Sequence, residues 1–394
     1  MTRTSRTSVV IASRLFPPEP GAAAYRLGAL ARTLAEQGAP VEVLTTRPPS
    51  GSGAVHDPRG VRGHRWPVLR DAGGNVRGYL QFASFDGPLF LRLLFVRRPG
   101  AVIVEPPPTT GTVVRIVCAL RRIPYVYYAG DVSSRAAEGI GVSPAVVAVL
   151  RRVESWAMSG AAAVLAVSDG VAQEVDRLTG GSAPVTVVGT GVDTEVFTPD
   201  RSVARSEHPT LVYAGTMSEI QGASVWVEAF TRVAEEFPEA TLLLYGQGAQ
   251  EPLLRSLAAG LPPGRVVFEG VASGARVATA LSSAWAGLAS LHPGVGYDYA
   301  FPTKMFASTA CGTPVVYAGP GPGRSMVAEH DLGWASDWEP DAAADLLRHA
   351  LTTRPDEATR DRLVAWTQRH ASQGVVAGAA AQVVDEVLAS SRRH

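Results

Sequence analysis

Lysine is almost absent from this chain. Among its 36 basic residues there is a single lysine, Lys304, and all the others are arginine. A bias that strong turns lysine into arginine wherever the chemistry permits. A position that stays lysine is therefore a candidate for a role that arginine's flat fork cannot fill, such as a compact charge beneath a phosphate. Composition alone leaves a surviving surface lysine equally open. Cysteine is scarce as well. Cys118 and Cys311 lie far apart in apolar stretches, which excludes a disulfide framework and gives no metal-ligand spacing. Two buried, reduced thiols suit a cytoplasmic setting. Neither sign of charge is in excess, because 36 basic residues face 36 acidic ones. No overall field draws the chain to nucleic acid or to an anionic membrane.

Long hydrophobic runs are missing too. Nothing approaches the roughly 20 apolar residues of a membrane span. The polar residues 1–8 lead into only about five apolar ones, too few for a signal peptide. One segment, 88–98, is apolar with arginines along one edge. A buried domain helix with a basic end is the favoured reading, and a helix lying on a membrane surface is the alternative.

What is present is a compact balance. With 46% hydrophobic and 18% charged residues, 394 residues suffice for two domains that each bury a core. Short β-rich apolar runs alternate with longer helical ones. Strands are expected at 8–13, 41–46, 101–105, 124–129, 163–167 and 185–188, with a helix over about 22–37 stopped by Gly38. A polar, poorly periodic stretch follows near 189–209. The pattern then restarts with strands at 211–214, 240–245, 266–268, 286–290 and 314–317 and a helix over 221–237. Strand and helix in alternation imply parallel sheets with helices on both faces. The chain thus reads as two doubly wound, Rossmann-like α/β domains, 1–195 and 196–372, with a helix at about 373–394 that packs back on the first. Residues 48–60 read as a flexible loop.

Ligands of open parallel sheets bind beyond the carboxyl ends of the strands. Two such domains facing each other would make a cleft there, so the loops after strands are the ones to inspect. In the first, Gly21 and Ala22 let a ligand approach a helix N-terminus, and Arg26 projects from that helix. No G-x-G-x-x-G motif occurs there, so a dinucleotide fingerprint is not supported. In the second, Asp131 follows a strand and can accept or position a hydroxyl proton. An N-cap for the next helix is the competing reading. The third, 214–222, offers another helix N-terminus suited to phosphate. The fourth runs from Ser290 through His292 to Thr303 and Lys304, with a helix opening at Pro302. A lysine in a helix's first turn opposes the dipole unless an anion is near. His292 can bond a sugar or phosphate, or be a satisfied loop histidine.

At these residues the chain resembles the retaining glycosyltransferases of family 4, which have the GT-B fold, over nearly its whole length. The stretches that carry the likeness are 16–26, 167–171 with 190–197, 213–222, and Phe301-Pro302-Thr303-Lys304 through 310–316. The nearest likeness is to the bacterial branch acting in cell-surface polysaccharide or lipid-linked oligosaccharide assembly. The resemblance implies that the second domain holds a nucleotide-diphosphate sugar and the first holds a hydroxyl acceptor, either a lipid-linked sugar or a small natural-product scaffold. It implies Lys304 at the donor diphosphate, Gly215 and Thr216 lining the phosphate site, Gln221, His292 and Thr303 beside it, and Val271 approaching the base through its backbone. Gly21 and Ala22 would border the donor, while Arg26 and Asp131 would face the acceptor. No metal or other cofactor is expected.

The sequence also departs from the family pattern. Two glutamates that commonly flank the lysine are replaced by Tyr299 and Ala307, and Gly130 stands where His or Arg is frequent. Lys304 would then carry most of the phosphate charge, with Arg26 or Arg324 as helpers. Two rivals to a transferase follow: a GT-B relative that epimerises or merely binds nucleotide sugars, and a phosphorylase whose lysine carries pyridoxal phosphate.

Overall fold

The computed structural model describes residues 7–19, 21–49, 55–71, 74, 76, 78–139 and 141–391. The expectations for residues 1–6 and for the middle of the 48–60 loop lie outside the described residues. The chain divides into two compact units, Met1–Gly189 with Val376–His394, and Thr190–Val375.

The first unit is built from β1 (Val9–Ala12), α1 (Ala22–Glu36), β2 (Val41–Thr46), β3 (Val61–Trp66), α2 (Tyr79–Phe95), β4 (Ala101–Val104), α3 (Pro108–Arg121), β5 (Tyr125–Ala129), α4 (Ser133–Gly139), α5 (Pro144–Ser159), β6 (Ala163–Ala166), α6 (Asp169–Thr179) and β7 (Val185–Val187). Its described strands form one parallel sheet in the order β3-β2-β1-β4-β5-β6-β7. Strands β1, β4 and β6 are four-residue apolar runs with every residue buried. Burial on both faces requires that kind of run in a parallel sheet. β3 differs, for it is a polar edge strand in which only Val61 is buried, and its sequence shows no apolar run to reveal it.

The second unit contains β8 (Thr210–Ala214), α7 (Ser224–Val233), β9 (Thr241–Tyr245), α8 (Glu251–Ala258), β10 (Val266–Gly270), α9 (Gly274–Ser283), β11 (Ala286–Ser290), α10 (Lys304–Ala310), β12 (Val315–Ala318), α11 (Pro322–Glu329), β13 (Gly333–Ser336), α12 (Pro340–Thr352) and α13 (Glu357–His370). The last helix, α14 (Gln373–Ser391), lies mostly in the first unit. The second sheet is parallel in the order β10-β9-β8-β11-β12-β13. Its core gathers Trp226 and Phe230 of α7 against Leu211, Leu244 and Leu288 of the strands, all buried. Truncating an aromatic in such a core costs about 3–5 kcal/mol.

In each sheet the strand order reverses once, between β1 and β4 and between β8 and β11. Loops leaving neighbouring strands diverge at that point and open a crevice beyond their carboxyl ends. Both cysteines are free and buried, and burial pushes each thiol up to about 12.

Candidate functional site

In the second unit the crevice at the β8/β11 reversal is organised around Lys304. This residue begins α10, two positions later than the expected opening at Pro302, and Thr303 precedes it without a side-chain cap. Pro302 and Thr303 still take part in the first turn, because their carbonyls accept from the Met305 and Phe306 N–H groups at 3.1 and 3.0 Å. The Lys304 ammonium donates to the Tyr213 hydroxyl at 2.9 Å and to Gln221 Oε1. It also lies 4.4 Å from the Tyr213 ring centroid. Tyr213 donates in turn to the Thr216 carbonyl at 3.0 Å, which ties the loop after β8 to the lysine. Gly215 is required here by close approach, since a Cβ would lie 2.9 Å from Lys304 Cε.

Lys304 keeps part of its surface open, yet its surroundings strip the ammonium of water. Desolvation draws its pKa from 10.5 down to about 7. Among the described residues no carboxylate pairs with it. A desolvated cation whose partners are a phenol and an amide is short of negative charge, and an anion would restore the balance.

The same crevice collects other expected residues. Gln221 lies within a tight turn, and its carbonyl accepts from Ser290 Oγ at 2.6 Å across the reversal. The expected helix at 221–237 starts only at Ser224, because 221–223 are spent in that turn. His292 meets Trp338 at a tilt, with ring centroids 4.3 Å apart, its backbone N–H donates to the Ile220 carbonyl at 2.9 Å, and its Nδ1 lies 2.8 Å from the Pro293 carbonyl. Thr216 is exposed, and Thr303 is half-buried. Val271 follows β10, exposed, at the far end of the same sheet edge. Two strand spacings separate β10 from β8, about 10 Å. Two residues contribute no charge to this crevice. Ala307 is buried in an apolar cluster with Val212 and Phe306. Arg324 is exposed and engaged with Asp337. Trp338 was invisible as a site residue in the sequence, because β13 itself carries no strong apolar run.

In the first unit the β1/β4 reversal holds a buried charge cluster. Ser13 follows β1 and donates through Oγ to Glu105 Oε1 at 2.8 Å, bridging the two strands. Arg26 of α1 donates to Glu105 Oε2 at 3.3 Å and lies over the Tyr128 ring. Asp131 stands in the field of Arg26 and Arg14, and its Oδ1 is buried without a hydrogen bond. Burial raises both acids above the ordinary carboxylate range, while the two arginines pull them back down. Arg26 reaches Asp131's loop, and Glu105 joins them unexpectedly. A carboxylate at the end of the run Ala101-Val102-Ile103-Val104 was the available signal. Arg26 also explains Gly130, for a Cβ there would fall 2.4 Å from Arg26 Nη2.

The N-cap reading of Asp131 is overturned. The first N–H groups of α4, from Ser133 and Ser134, donate at 2.8 and 2.9 Å to Glu154, a fully buried carboxylate of α5. Gly21 precedes α1 with no side-chain cap, no acidic residue in the first turn and open space at its would-be Cβ; Ala22 beside it is exposed. The opening N–H groups of α1 thus remain available to an anion. Glu19 is a clamp, accepting from Thr46 at 2.8 Å and Arg70 at 2.7 Å.

Comparison with known proteins accords with this geometry. A family profile described as "Glycosyl transferase 4-like domain" matches residues 21–191, and one described as "Glycosyl transferases group 1" matches 208–353. Curated proteins offer no match by sequence. Among solved structures, sucrose-phosphate synthase from Thermosynechococcus elongatus is similar with a TM-score of 0.76 and 17% identity, covering 98% of this chain and 100% of that one. Anabaena HepE in complex with UDP-glucose gives 0.70 and 15%, covering 98% and 100%. WaaG, a glycosyltransferase involved in lipopolysaccharide biosynthesis, gives 0.71 and 15%, covering 95% and 99%. With both sheets parallel and a glycosyltransferase profile on each half, the chain belongs to the glycosyltransferases of GT-B fold.

Proposed function

We propose that the protein transfers a sugar, with retention of configuration, from a nucleoside-diphosphate donor to a hydroxyl acceptor in the cytoplasm. The observation that carries this reading is Lys304, a desolvated ammonium with no carboxylate partner among the described residues. The donor diphosphate supplies the missing charge. Gly215 and Thr216 line it, Gln221 yields or shares the lysine, and His292 and Thr303 reach its oxygens or the sugar. Val271 meets the base through its backbone. Similar structures hold UDP or UDP-glucose, which supports a nucleotide sugar.

Gly21 and Ala22 border the donor, and Arg26 and Asp131 serve the acceptor. The acceptor oxygen bonds to the anomeric carbon on the face from which the β-phosphate oxygen departs, and that oxygen takes the acceptor's proton. The products are a glycoside and a nucleoside diphosphate. Lys304 stabilises the charge growing on the leaving group, so no metal or other cofactor enters the step. The bacterial polysaccharide or lipid-linked oligosaccharide branch gives a lipid-linked sugar as acceptor; a small natural-product scaffold is the second choice.

Lys304→Ala is expected to lose about a hundredfold in rate with donor saturating, near 3 kcal/mol of transition-state stabilisation. Wild-type turnover in that variant would end the proposal. Ala307 favours a second reading. Its burial among apolar side chains leaves no carboxylate at that position for the donor's ribose, and the second reading is a relative that epimerises or only binds nucleotide sugars. Incubation with a panel of nucleotide sugars separates the two, because a transferase forms product only when acceptor is added.

A further inference from the structure

Helix α3 packs against α2 on one side and α5 on the other, and the outer surface of this three-helix layer is unusually sorted. On α2 the exposed positions Leu80, Ala83, Gly87, Leu91 and Phe95 recur at helical spacing on one face. Phe95 is 80% exposed, Leu120 of α3 66% and Val149 of α5 59%. Ile116 of α3 and Trp156 of α5 continue the apolar stripe. The charges beside it have one sign. Arg97 and Arg98 follow α2, Arg122 follows α3, and Arg152 lies on α5, all exposed.

The acidic residues of the three helices are Asp86 and Glu154, 7% and 0% exposed. Asp86 accepts from Thr110 at 2.6 Å, and Glu154 holds α4. These helices therefore show no carboxylate at the surface, in a chain whose net charge is zero. Glu138 of neighbouring α4 is held by Arg135 and Arg151 at 2.9 and 2.7 Å. Beside α5 a cavity of about 690 Å³ is lined by Arg115, which lies over the Trp156 ring, by Arg152, and by Arg135, Arg151 and Arg177, which are ion-paired to Glu138 and Glu174 in the same wall.

We infer that the α2–α3–α5 face docks onto an anionic lipid surface. Apolar side chains enter the headgroup boundary while the arginines meet lipid phosphates. Among the described residues no helix is long and apolar enough to cross a membrane, so contact is made by side chains lying on the surface. A second copy of the chain fits less well, because a two-fold contact through this face would set arginines against arginines. The helix expected at 88–98 does pack on the core through Leu89 and Leu93, and it turns Leu91 and Phe95 outward.

The test is sedimentation of the full chain with vesicles of phosphatidylcholine, alone or mixed with phosphatidylglycerol. Binding is expected with the mixed vesicles only, and it should weaken as salt rises. Each arginine near such a surface contributes about fivefold, so Arg97→Ser with Arg98→Ser should weaken binding by at least about tenfold. Phe95→Ser with Leu120→Ser should do the same, with an unchanged circular dichroism spectrum. Leu253→Ser, at an exposed position of α8, should bind as wild type. Absent binding, equal binding to both vesicle types, or unaffected variants would overturn the inference. So would a concentration-dependent dimer abolished by the Phe95 and Leu120 changes, which would give the face to a second copy.

Discussion

Replacing Lys304 by methionine should stabilise the ligand-free protein and remove its hold on a diphosphate. The folded protein draws the lysine from 10.5 to about 7 by desolvation. At about 1.4 kcal/mol per tenfold change, carrying the proton into the fold costs about 5 kcal/mol. Hydrogen bonds to Tyr213 and Gln221 are lost in the variant, at about 1 kcal/mol each. A net gain of about 2–3 kcal/mol remains, or roughly 5–10 °C in Tm for a domain of this size. The sign depends on pH. Between about 7 and 10.5 the unfolded chain binds more protons than the folded one, so wild-type stability rises with pH across that window. Below about 7 the penalty is fully present, and there the advantage of methionine is greatest. Nucleotide affinity should run the other way. Binding an anion favours the charged ammonium, so affinity for a nucleoside diphosphate should fall toward tenfold per pH unit above about 7. Thermal melts at about pH 6 and about pH 9, with and without UDP, GDP, ADP or dTDP, measure both effects. The reasoning is refuted if the methionine variant melts lower than wild type at the acid pH. It is equally refuted if the variant keeps the nucleotide-induced rise in Tm.

Four further outcomes are expected. Gly215→Ala sets a methyl 2.9 Å from Lys304 Cε, and the displaced ammonium should raise the donor KM by about tenfold in steady-state assays. Gly130→His drives out the Arg26 guanidinium and leaves Glu105 buried without it, at a cost of about 3 kcal/mol in urea unfolding. Wild-type transfer should lose rate on the acid side at a pH above the ordinary carboxylate range, following Asp131; Asp131→Asn should abolish that limb and at least about tenfold of the rate. Glu154→Leu strands the first N–H groups of α4 and should lower the urea midpoint by the equivalent of about 2–4 kcal/mol.

The sequence made the sheets legible because parallel strands buried on both faces need uninterrupted apolar runs. Residues 41–46 and 286–290 were read to their ends as β2 and β11. β3 escaped because an edge strand tolerates polar residues such as Arg62 and His64, and β13 because its four residues make no apolar run. Lys304 was legible through its rarity and its place at a helix start. Glu105 and Glu154 were not, since their meaning lies in partners brought by the fold. Glu105 meets a serine 92 positions away, and Glu154 caps a helix 20 positions upstream. A lone carboxylate in a sequence carries no mark of which distant donors will surround it.

Gly130 and Arg26 separate two things that are usually counted as one, the position of a charge in space and its position along the chain. A loop that carries glycine at 130 looks, residue by residue, as though it had given up a cation. In three dimensions the guanidinium from α1 fills the volume that a side chain at 130 would occupy. Here the cation is tethered to a helix and not to the loop. A helix-borne arginine, anchored on Glu105 and Tyr128, is held more stiffly than one hung from a loop tip, and its loss would go unnoticed by any comparison confined to the loop.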